Sequence, residues 1–137
     1  MPAPFSGGCR CGAIRYTCSA EPVMVANCHC RDCQYASGGG ASTVALVPRP
    51  AIEIEVGEVS RFSVVAENGK QVTRQFCGVC GSPLFSELES MPQLFVVKAG
   101  SLDDPSWLVP GAHIWTRSAQ PWSLADDGLP RFETNPG

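Results

Sequence analysis

The chain has 137 residues, enough for one domain with its own core and too few for two. A net charge of −3 without a basic stripe argues against a nucleic-acid partner, and no apolar run approaches the ~20 residues of a membrane helix. Hydrophobic residues at 44% against charged residues at 17% exclude a disordered chain, and eight cysteines stand out from an otherwise ordinary composition.

In chain order, the pattern predicts short strands separated by turns. The first residues lack the basic and apolar segments of a secretory signal, so a reducing, cytoplasmic setting is expected. Strands are predicted over Arg15–Cys18, Val23–Asn27, Thr43–Val47, Ile52–Val56, Arg61–Val65, Val72–Phe76, Leu84–Ser86 and Leu94–Lys98. Ile52–Val56 alternates apolar with acidic residues, the mark of a strand with one wet face. Asn68-Gly69 is a hairpin signal between Arg61–Ala66 and Gln71–Phe76. Asp103–Trp107 reads as one helical turn, with Asp as cap and Pro105 in the first turn. Gly111–Arg117 is strand-like, and residues 126–137 read as loosely ordered. No long 3.6-residue period appears, so the fold class is mostly β: a compact single domain of short antiparallel sheets.

Seven of the eight cysteines fall into tight clusters: Cys9 with Cys11; Cys28, Cys30 and Cys33; and Cys77 with Cys80. Disulfide partners are usually dispersed, whereas metal ligands cluster because one turn of backbone aims two thiolates at one ion. Thiolate-rich sets suit zinc or iron–sulfur centres. The simplest partition joins Cys9, Cys11, Cys77 and Cys80 in one closed site that clips the N-terminal segment to the middle of the chain. Cys28, Cys30 and Cys33 then leave one position open, the pattern of a catalytic metal. Another partition gathers all ligands in one cluster or uses a histidine as the fourth. Cys18 shares a strand face with Ile14 and Tyr16 and reads as a core residue.

His29 lies between two ligands; on an extended backbone it faces away from their metal. There it orients a substrate, hydrogen-bonds the groups around the ligands, or is a partly exposed structural histidine. In a catalytic reading either it or a zinc-bound water supplies the proton. His113 is read as a base or a surface residue. Trp115 and Arg117 share its face by alternation, a plausible wall for an anion. Asp32 reads as solvated. Gly38-Gly39-Gly40 lacks the ending of a phosphate loop and reads as a flexible loop that lets a substrate come close.

These motifs together are recognisable. Gly7-Gly-Cys-Arg-Cys-Gly12 with Ile14-Arg-Tyr16, Cys28-His-Cys-x-x-Cys33-Gln34, Phe76-Cys-x-x-Cys-Gly-Ser-Pro-Leu84, His113-Ile-Trp and Pro121-Trp122 resemble the glutathione-dependent formaldehyde-activating enzyme family. The resemblance runs from about residue 5 to 122 of a single zinc-binding domain spanning 1–137. It implies a β-tent fold, a structural zinc on Cys9, Cys11, Cys77 and Cys80, and a second zinc on Cys28, Cys30 and Cys33. It also implies carbon–sulfur lyase chemistry on glutathione and formaldehyde, with S-hydroxymethylglutathione as the adduct. The alternative is a non-catalytic zinc module that binds glutathione, another thiol or a protein.

Overall fold

The computed structural model describes residues 3–136, among which ten strands form two sheets. Strands β1 (Phe5–Gly8), β2 (Arg15–Cys18) and β5 (Ile52–Val56) make a small antiparallel sheet in the order β1-β2-β5. The large sheet uses β3 (Met24–Cys28), β4 (Ser42–Pro48), β6 (Ser60–Val65), β7 (Gln71–Phe76), β8 (Pro83–Leu88), β9 (Leu94–Lys98) and β10 (His113–Ile114). Its order is β10-β3-β4-β9-β8-β7-β6. All pairings are antiparallel except β10 on β3, which is parallel and departs from the all-antiparallel expectation.

Each predicted strand is present, with ends shifted by at most two residues. The hairpin forms between β6 and β7, where Ala66 N donates to Lys70 O at 2.8 Å and Gly69 adopts φ +79°. Besides short 3-10 turns, one strand and one helix were not foreseen. Strand β1 ends in Gly7-Gly8, residues of low β propensity that are required by contact. A Cβ on Gly7 would lie 2.3 Å from the Ser101 carbonyl oxygen. Helix α1 (Arg31–Ser37) has seven residues, too few for a periodic signature. Cys30 caps its start, the Sγ accepting from Cys33 N at 3.3 Å, and Gly38 ends it at φ +74°.

Register assigns the two faces of the large sheet, because directly opposed residues share a face. Ala45 opposes Val97, Val47 opposes Phe95, and Phe85 opposes Val97. This face meets the small sheet through Ile14, Tyr16 and Cys18, all within 2% of full burial. Tyr16 and Phe85 pack edge-on with ring centroids 4.8 Å apart. Truncating so enclosed a phenyl ring costs about 3–5 kcal/mol. Cys18 is the core residue expected. The second face carries Cys28 opposite Ser42, Val44 opposite Lys98, and Leu46 opposite Val96.

One expectation is shifted and two are corrected. Asp103–Trp107 holds a single turn rather than a helix, with Asp104 as its cap: Asp104 accepts from Ser106 N at 3.0 Å and Leu108 N donates to Pro105 O at 3.1 Å, while Asp103 pairs with Arg15 and Ser6. The alternation proposed for His113, Trp115 and Arg117 fails because Trp115 has φ +57° and a 3-10 turn follows. Residues 126–136 are held in place rather than loose. His113 N donates to Pro130 O and Phe132 N to His113 O, both at 2.9 Å, and Phe132 packs against the buried cluster that includes Ile114 and Trp115.

Candidate metal centres and the cleft beside one of them

The four-cysteine set forms where two turns meet. Cys9 and Cys11 follow β1, while Cys77 and Cys80 lie between β7 and β8. All four sulfurs lie within 4.8 Å of one another. Cys9 and Cys11 are separated by 3.6 Å and Cys11 and Cys77 by 3.8 Å, close to the ~3.8 Å edge of a tetrahedron with Zn–S of ~2.3 Å. Backbone donors aim at the sulfurs: Ile14 N at Cys9 (3.2 Å), and Val79 N and Cys80 N at Cys77 (3.4 Å each). Hydrogen bonds from Ser82 hold Cys80 down at about 5, while Cys11, crowded by Cys9, is pushed up to about 11. Four sulfurs this close could hold one cation, which would bind them as thiolates with release of protons.

The three-cysteine set sits at the end of β3 and the start of α1. Cys28 is 7% exposed, and the three sulfurs again lie within 4.8 Å of one another. Hydrogen bonds with Cys30 and then Cys33, followed by burial, drive Cys28 far above the thiol range. Bonds from Cys28 and then Cys30 hold Cys33 well below it, with the Lys98 ammonium adding to the effect. Sulfurs this close do not ionise together unaided, so a divalent cation would bind with release of protons.

His29 is fully buried rather than partly exposed. Its Nε2 lies 2.9 Å from His113 Nδ1, and His113 Nε2 lies 2.8 Å from Asp127 Oδ2. The His113 bond holds the Asp127 carboxyl below its ordinary value, so Asp127 accepts. In the neutral pair His113 Nδ1 then accepts from His29 Nε2–H. Among the described residues no hydrogen-bond partner meets His29 Nδ1. Burial and then His113 lower the His29 pKa. His113 is 3% exposed, not a surface residue.

A cleft of about 110 Å³ opens beside the three sulfurs, its wall formed largely by apolar side chains. Asp32, Arg74 and Lys98 also line it, and neither His29 nor His113 does. Asp32 is half-buried rather than solvated, and burial followed by Cys30 raises its pKa. Gly40 admits the protein itself, not a substrate: a Cβ there would meet Ser123 at 2.1 Å. Two residues were missed. Gln34, 5% exposed, donates to His29 O (2.8 Å) and Ser118 O (2.9 Å), and so fixes the loop between the ligands. The residue's place directly after Cys33 was its only signal. Lys98 is 7% exposed, and nothing in its strand-like run marked it.

Two sheets, a four-sulfur set and a three-sulfur set on a cleft define a cysteine-rich, mostly β protein with two clusters that could hold metal. The family model "Glutathione-dependent formaldehyde-activating enzyme" matches residues 4–118, and the chain belongs to that family. A crystal structure of a Rhodobacter sphaeroides protein is similar at TM-score 0.57 and 16% identity, covering 93% of this chain and 98% of that one. That likeness concerns the fold. No curated protein matches the sequence. Among the described residues no helix is long and apolar enough to cross a membrane.

Proposed function

We propose that the protein is a zinc-dependent carbon–sulfur lyase of the S-hydroxymethylglutathione type, which joins glutathione to formaldehyde and releases them in reverse. The observation that carries this reading is the placement of Cys28, Cys30 and Cys33 within 4.8 Å of one another on the wall of an apolar cleft. Family membership supplies the substrate class. Cys9, Cys11, Cys77 and Cys80 would hold a structural zinc, and Cys28, Cys30 and Cys33 a second one. When bound at the second set, zinc supplies the Lewis acidity that keeps a thiol as thiolate near pH 7, where a free thiol of pKa ~8.5 is mostly protonated.

In the joining direction the glutathione sulfur forms a bond to the carbonyl carbon. The C=O π pair moves to oxygen, which takes up the proton that the thiol gave up. The chain's own residues hold and enclose. Gln34 and the His29–His113–Asp127 chain fix the ligand loop, and the apolar wall limits water around the reacting atoms. His29 is a positioning residue in this reading, since it does not line the cleft. Seven clustered free thiols suit a reducing compartment such as the cytoplasm, with the whole chain acting as one domain.

The test is exchange spectroscopy of glutathione with formaldehyde, with and without the zinc-loaded protein. Faster exchange with protein is expected. Equal rates would overturn the reading and leave a non-catalytic zinc module.

A further inference from the structure

Two features of the cleft bear on its substrate, and the first exceeds what a one-carbon aldehyde needs. The first is its apolar wall. Val44, Leu46 and Val96 are 4–8% exposed and form a cluster separate from the core, with Leu88 and Met91 packed against it. Register puts Val44, Leu46 and Val96 on the sheet face that bears Cys28, away from the small sheet. They do not join the two sheets, and they line the cavity that the three sulfurs also line. Its volume of about 110 Å³ is several times the ~10–15 Å³ that one water requires.

The second feature is Lys98. Its ammonium lies 3.3 Å from Ser42 Oγ and forms no ion pair with a carboxylate among the described residues. An ammonium has three donors, and a buried one is costly unless each finds an acceptor. Lys98 opposes Val44 on the apolar face and lines the same cleft. Binding sites commonly combine an apolar wall with a few polar groups that fix orientation.

We propose that the cleft binds the thiol adduct of an aldehyde with an apolar body of several carbons, its chain on Val44, Leu46, Val96 and Met91 and its oxygen accepting from Lys98. This inference rests on the reading that the three-cysteine set engages a thiol, and it alters the aldehyde. Each methylene buried contributes ~0.8 kcal/mol, or about four-fold in binding. The Lys98 bond strengthens as charge grows on the oxygen when the carbon–sulfur bond forms.

Exchange spectroscopy on the zinc-loaded full chain, with glutathione and formaldehyde, propanal or pentanal, tests it. The rate enhancement at low aldehyde concentration is expected to rise about four-fold per methylene until the cleft is full. Enhancement of formaldehyde alone would overturn this inference and leave the glutathione–formaldehyde reading standing. Enhancement of no aldehyde would overturn both. Val96→Thr, which puts a hydroxyl on the apolar wall, is expected to lower the pentanal-to-formaldehyde ratio about five-fold or more. An unchanged ratio would remove the wall from the site. Lys98→Met is expected to cut the enhancement for every aldehyde at least ten-fold while two zincs stay bound. Loss of one zinc instead would make Lys98 only the counter-charge of the sulfurs and overturn its assignment.

Discussion

The Nε2 of His29 lies 2.9 Å from the Nδ1 of His113, joining two imidazoles 84 positions apart in the chain. Asp127 extends the pair, so one hydrogen-bonded line runs from the closing segment to the peptide between Cys28 and Cys30. Removing its acceptor leaves a buried donor unpaired. Asp127→Ala is therefore expected to lower the urea midpoint slightly, since Asp127 is exposed and water can replace part of its bond. It should also make the metal at Cys28, Cys30 and Cys33 leave faster to a competing chelator than the metal of the four-cysteine clip. Equal acceleration at both sites would refute the positioning role.

The two metal sites should separate in mutants. Cys77 is 1% exposed and accepts two backbone N–H bonds inside the clip that joins the sheets. Cys77→Ser is expected to unfold the chain, since structural zinc contributes on the order of 10 kcal/mol to a small domain. Cys33→Ser should keep the far-ultraviolet circular dichroism spectrum and lose one zinc per chain. Metal analysis beside the spectrum decides both outcomes.

Glutathione is expected to change the metal content or thiol ligation at one site only. Metal stoichiometry measured with and without glutathione should show the four-cysteine zinc unmoved. A change at neither site would argue against coordination of a thiol substrate.

Asp103 gives the fold an acid-sensitive contact. Hydrogen bonds from Arg15 and then Ser6 hold its carboxyl at about 2, below the ordinary 3.8. A depressed folded-state pKa favours the fold above the unfolded value. That contribution is complete above about pH 4 and is lost as pH falls towards about 2. The pair is exposed, so the effect is small. Urea midpoints at pH 5 and pH 2.5 should differ less in Asp103→Asn than in the parent protein.

Gly7 tests the close approach at the small sheet. Its position leaves no room for a Cβ beside the Ser101 carbonyl and the Tyr16 hydroxyl, at 2.3 and 2.4 Å. Gly7→Ala is expected to destabilise by about 1–3 kcal/mol through forced backbone movement. A wild-type urea midpoint would refute the contact.

Residue type and spacing revealed the two sulfur sets because ligands supplied by one turn of backbone must lie close in sequence. Alternation revealed β5, and Asn68-Gly69 revealed the β6–β7 hairpin, because both are local signals. The cleft was not legible. It depends on which residues oppose one another across β3, β4 and β9, and register is a tertiary property. Lys98 illustrates this: it follows Val96 and Val97 like any strand-ending lysine, and only the Val44 register brings it to the sulfurs. Helix α1 was hidden by its shortness, and the order of residues 126–136 by partners at His113 and Trp115 that no local pattern names.

The parallel strand β10 also sets an order of events. Asn27 N and His29 N donate to Ala112 O and Ile114 O, and His113 in turn pairs with Pro130 and Phe132. A chain made from its N-terminus holds all four sulfurs of the clip once Cys80 is added. The loop of Cys28, Cys30 and Cys33 pairs with Ser42 early in the chain, but it gains the support of Ala112 and Ile114 late, and theirs in turn comes only with residues 130–132. The sulfurs of the clip are thus all supplied well before the loop of Cys28, Cys30 and Cys33 has its full support.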